Sequence, residues 1–90
     1  MSDTYSGPVR IYGQDGVFLT TGVAALEDDP DHASWKGLLQ FLRGTAIAGK
    51  ALLVELETTD GERGTAQLTP QGEIGDRATS GVAGLGIRPF

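Results

Sequence analysis

Asp28-Asp29-Pro30-Asp31-His32 gathers three acids with the chain's only histidine, and the only tryptophan, Trp35, follows shortly after. Carboxylates in this density are hard oxygen ligands suited to Mg²⁺ or Ca²⁺, and an imidazole beside them suits a transition metal. The spacing works against both uses. No EF-hand glycine or distal bidentate Glu follows, and one His in a chain without cysteine cannot build the usual zinc site. His32 as a general base would need a nucleophile and an orienting acid brought to it by the fold. Ser34 and Asp31 are too close in sequence to complete a triad by themselves, and no Gly-x-Ser-x-Gly elbow is present. A small enzyme or metal-binding protein working through the Asp28–His32 loop is therefore the alternative reading. The first reading is a solvated connection, in which Asp side chains cap backbone groups and keep strand edges soluble.

Other chemistry-bearing patterns are weaker. Glu55 and Glu57 share one strand face, an arrangement that more often keeps a face wet than runs glycosidase chemistry. "GLG" at 84–86 lacks the third glycine, the helix and the βαβ frame of a dinucleotide fingerprint, and "AGKA" at 48–51 lacks the hydroxyl and upstream glycine of a phosphate loop. No catalytic residue, metal ligand or cofactor is expected. Trp35 carries more promise. In a small barrel a lone Trp either plugs the core or forms the wall of a pocket at the barrel mouth, and Tyr5, Tyr12, Phe18, Phe41 and Phe90 are available to line the same space. Trp35, Tyr12 and Phe41 are the candidate ligand-binding residues.

These residues must be positioned by strands. "GPVRIYGQDGVFLTTGVAAL" reads as a hairpin around "GQDG", its second strand long and bulged at Gly22 and ended by "EDDPD". "AGKALLVELETTDGERGTAQLTP" reads as a second hairpin, with Leu52, Val54 and Leu56 answered by Ala66 and Leu68. "TPQGEIGDR" reads as a loop. In "ATSGVAGLGIRPF", Val82, Gly84 and Gly86 alternate with Ala83, Leu85 and Ile87, as in a curved closing strand. Residues 34–42 fit two periods. Trp35, Leu38, Leu39 and Leu42 suit a helix capped by Asp31 or Ser34 and stopped at Gly44, whereas Trp35, Gly37, Leu39 and Phe41 suit a strand.

Ninety residues allow one small domain, residues 1–90, with residues 1–6 frayed. Fourteen scattered glycines without a repeat suit turns and strand crossings in a small β-protein. The expected fold is all-β, a small antiparallel β-barrel or strongly rolled sheet of about five to seven strands. A net charge of -5 with dispersed Lys and Arg argues against nucleic-acid and anionic-membrane partners. The absence of cysteine removes disulfide and thiolate chemistry, and without a signal-like or long apolar run a cytoplasmic location is expected.

"YSGP" at 5–8, "WKG" at 35–37, "TTDGERGTAQL" at 58–68 and "GLGIRPF" at 84–90 together resemble the small all-β domain of unknown function appended to actinobacterial flavin-dependent monooxygenases and also found alone. The chain departs from that pattern in placing His32 three residues before Trp35. The resemblance implies a compact β-barrel, the strand reading of 34–42 and an accessory role beside a redox enzyme, with no established catalytic residues. The functional expectation is thus a non-catalytic accessory or binding module for a protein partner or a small apolar ligand. A structural homo-oligomer joined through strand edges is a third possibility.

Overall fold

The computed structural model describes residues 4–45 and 47–90. Six strands, β1 (Thr4–Gly13), β2 (Phe18–Asp29), β3 (Ser34–Leu42), β4 (Leu52–Glu57), β5 (Arg63–Ile74) and β6 (Arg77–Leu85), form a closed antiparallel barrel in the order β1-β2-β3-β6-β5-β4. This is the all-β barrel expected from the alternation. Among the described residues the one helical piece is the 3₁₀ turn Pro30–His32, and no helix is long and apolar enough to cross a membrane.

Residues 34–42 form a strand, and Gly37 shows why. Trp35, Leu39 and Phe41 are buried while Lys36, Leu38, Gln40 and Leu42 face out, a period of two. A Cβ at Gly37 would lie 2.0 Å from the Ala25 carbonyl oxygen, so β2 and β3 approach here only because no side chain intervenes.

A barrel needs about eight strands before its interior has room for more than packed side chains, and six enclose less. The interior alternates large residues with small ones. Trp35, Leu39, Phe41, Ile11, Leu56 and Leu68 meet Ala24, Ala66, Ala78 and Ser80, all buried. Leu52 and Val54 pair with Leu68 and Ala66, as the sequence predicts, and Leu56 pairs with Gly64. Ile47, 1% exposed, closes the end reached by the C-terminus of β3, and Trp35 fills the opposite end. There the segment after β6 folds across the opening, with Pro89 buried and Thr58 Oγ1 donating to the Pro89 carbonyl at 3.1 Å.

Several boundaries differ from expectation. "TPQGEIGDR" is the end of β5, bulged at Gln71, and a two-residue turn at Gly75-Asp76 into β6. Gly75 has φ +62° and Asp76 no positive φ, as in a type II′ turn, so its turn residues serve a hairpin tip and a bulge within continuous strands. The extra residue in β2 is Leu19, while Gly22 is a close-approach point where a Cβ would meet the Gln40 carbonyl oxygen at 2.6 Å. β2 continues through Glu27–Asp29 and stops at Pro30. Thr4–Ser6 belong to β1, paired with Ala25–Glu27, so the frayed start does not reach them; residues 1–3 lie outside the described residues.

Candidate functional site

Two acids of the acid-rich stretch, Asp28 and Asp29, are paired. Asp29 Oδ2 lies 2.8 Å from His32 Nδ1, and Asp28 Oδ2 accepts from Arg88 Nη1 at 2.6 Å. His32 is exposed, with its side chain 78% accessible. Among the described residues no group of three or more His, Cys, Asp or Glu side chains converges to hold a metal ion. The loop connects β2 to β3, and Ala33 takes a left-handed conformation, φ 49° and ψ 42°, to make the corner.

The three aromatic candidates do not share a pocket. Trp35 and Phe41 both point inward, 1% exposed. Six residue steps along the strand separate them, roughly 20 Å, so they occupy opposite halves of the barrel. Tyr12 lies on the outer face, edge-on to Phe18 with centroids 5.7 Å apart. The Arg63 guanidinium sits 4.0 Å above its ring, and its hydroxyl donates to Glu57 Oε1 at 3.3 Å.

Trp35 is held by absence of volume around it. A Cβ on Gly84 would fall 2.2 Å from the indole Cδ2, and one on Gly64 would fall 2.8 Å from Cζ2. Phe90 meets the indole edge-on at 6.2 Å between centroids. The indole Nε1 is buried without a hydrogen-bond acceptor among the described residues. Two open grooves, about 340 and 520 Å³, adjoin this end of the barrel, with Trp35, Ser34 and Gly86 lining both.

The outer surface divides by charge. Over β4, the start of β5 and the end of β1 it is ionic. Arg63 Nε bonds Glu57 at 3.1 Å, and Arg63 Nη1 lies 3.5 Å from Glu55. The Glu57 hydrogen bond, opposed by desolvation, raises the Arg63 pKa above its ordinary value. Glu55 and Glu57 are thus bridged by one cation on a solvent-facing surface, where such pairs add little stability.

On the other side two cross-strand rows carry no ionisable residue. One runs Pro8, Val23, Gln40, Thr79 across β1, β2, β3 and β6; the next runs Ser6, Ala25, Leu38, Gly81, Thr69 and reaches β5. Val23 and Leu38 stand 49% and 48% exposed. Glu27 and Lys36, direct cross-strand partners, border this face. Beside Leu38 a groove of about 380 Å³ runs over Gly37 and Gly81.

No protein family, curated protein or solved structure matches this chain.

The uncharged face was not among the expectations from sequence. Its signal was available in the alternate positions of "VAAL" and "GLLQF", where the residues left facing out are Val23, Ala25, Leu38 and Gln40. Reading that signal required first placing residues 34–42 in a strand.

Barrel closure pairs most of each strand, but Thr69–Ile74 of β5 run past β4, Phe18–Gly22 of β2 run past β3, and the first half of β1 runs past the end of β4. That stretch is blunted: Pro8 brings no N–H, and its carbonyl accepts from the Tyr5 hydroxyl at 2.5 Å. The same hydroxyl accepts from Thr59 N at 3.4 Å, tying the 58–61 turn to β1.

Proposed function

We propose that this chain is a non-catalytic module that binds a protein partner through the uncharged outer face of β2 and β3. One observation carries the reading: the barrel interior is filled by its own side chains, while Val23 and Leu38 stand half exposed on a face with no ionisable residue. Exposed apolar groups gathered within a polar surround mark interaction surfaces. If the resemblance to domains appended to flavin-dependent monooxygenases reflects kinship, a redox enzyme of that class is the partner to test first. A photo-crosslinking residue placed at position 38, with a control at position 62 on the acidic turn, tests the reading in cells that make the protein. A discrete adduct from position 38 and none from 62 supports it; equal labelling from both positions, or none from either, removes it.

A small apolar ligand is the second reading, favoured by the unpartnered Trp35 Nε1 and the grooves beside it. Such a ligand would displace Phe90 from the indole and supply an acceptor to its N–H. Trp35 emission titrated with an apolar ketone checks this, and an unchanged spectrum at saturation of solubility rules it out.

A further inference from the structure

We infer that the uncharged face of β2 and β3 is an interface between two copies of this chain, related by a two-fold axis parallel to the strands and running between β2 and β3. The inference rests on the reading of this face as a protein-binding surface and names its occupant.

A two-fold lying in the contact plane lays each residue of β2 over its cross-strand partner in β3 of the other copy. The pairs are Glu27 with Lys36, Ala25 with Leu38, and Val23 with Gln40. The first two pairs are complementary, and the third carries no charge conflict. Opposite charges meet at the border, a large side chain meets a small one at the centre, and the third pair joins an apolar residue to a neutral amide. Both members of every pair occur twice, once on each side of the axis, so the same three matches are made in duplicate.

Charge favours this occupant over others. The chain carries a net charge of -5, and two copies approaching through most of their surface would repel. The face offers no ionisable group within its two central rows; Glu27 and Lys36 cancel along one border, while Arg10 and Arg77 flank the other on the outer strands. A nucleic acid or an anionic membrane would want clustered Lys and Arg, which this face lacks.

The expected strength follows from size. Four strands at about 4.8 Å and three rows at about 6.6 Å bound at most roughly 400 Å² per copy on this convex surface, no more than half of a standard interface. Association is therefore weak and concentration-dependent, with a dissociation constant from tens of micromolar to about a millimolar.

Sedimentation equilibrium on the full chain between roughly 20 µM and 1 mM tests this, with the average mass expected to rise from 9.4 kDa toward twice that value. Leu38→Asp should hold the mass at the monomer value, while Leu85→Asp, outside the face, should leave the association unchanged. The decisive set is Glu27→Lys, Lys36→Glu and the double exchange. Each single reversal sets like charges opposite one another and should weaken association about fivefold or more, and the double exchange should restore it. Glu27→Lys separates contact from overall charge, because it lowers the net negative charge and would strengthen an association governed by general repulsion. A monomer at every concentration overturns the inference, as does an undiminished dimer in both single reversals. If the monomer still gives an adduct from position 38 with a different protein, self-association falls while the partner reading stands.

Discussion

Gly84 and Trp35 divide a single volume between them: a Cβ on Gly84 would fall 2.2 Å from the indole Cδ2, closer than any two such atoms can stand. The glycine on β6 is thus the complement of the tryptophan on β3, and the barrel end closes because one residue has no side chain. Gly84→Ala should destabilise the fold by about 2–4 kcal/mol, since neither the buried ring nor the strand backbone can withdraw cheaply. Urea unfolding followed by Trp35 emission measures this, together with a red shift in the native spectrum. A loss below about 0.5 kcal/mol would show that the ring yields.

Tyr5 predicts the behaviour of the seam. Its hydroxyl donates to Pro8 O and accepts from Thr59 N, joining β1 to the turn beyond β4 where no strand pairing does so. Tyr5→Phe should cost about 0.5–1.5 kcal/mol. Faster amide exchange should appear at Thr59 before it appears in β3. Uniform acceleration across the barrel would contradict a local role.

Ala33 is the one described non-glycine residue with positive φ, at 49°. Left-handed backbone costs an L-residue about 1 kcal/mol, and glycine avoids that cost while gaining unfolded-state entropy. Ala33→Gly is expected to be neutral to stabilising by up to about 1 kcal/mol, against the destabilisation usual for glycine introduced elsewhere. Thermal unfolding at matched concentration decides the sign.

Arg63 gives a pH prediction through the direction of its shift. A cation whose folded pKa is raised contributes stability that is complete below its unfolded value and is lost only as pH rises through the folded one. Both values lie far above neutrality here, and the folded one is raised first by the Glu57 hydrogen bond. The Arg63 guanidinium therefore adds no pH dependence of its own between about pH 6 and 10. Arg63→Ala should lower the urea midpoint by the same small amount at pH 6 and pH 9. A difference that grows steeply within that window would place a titrating group elsewhere in the cluster.

The hairpins and the inward rows were legible because alternation reports burial directly: Leu52 and Val54 face Leu68 and Ala66 as the pattern requires. Residues 34–42 were ambiguous because Leu38 and Leu42 supply helical spacing from the outer face of a strand, where half-exposed leucines stand. "TPQGEIGDR" misled for a related reason. Pro70, Gly72 and Gly75 are turn residues by type, yet two of them flank a bulge and only the third makes the turn. The aromatic site dissolved because one-dimensional spacing says nothing about which wall of a barrel a residue faces. Tyr12 and Phe41 are separated by the sheet itself.

The β1–β4 ladder holds four residue pairs, and every other ladder in the barrel holds at least six. A cylinder with one short ladder has a preferred line of rupture. When that ladder parts, the barrel becomes an open six-stranded sheet whose two outermost strands, β1 and β4, both present unpaired backbone. Aggregation of this protein under stress would therefore begin with strands that are internal to the native fold, and its onset would follow the opening of one seam well before global unfolding.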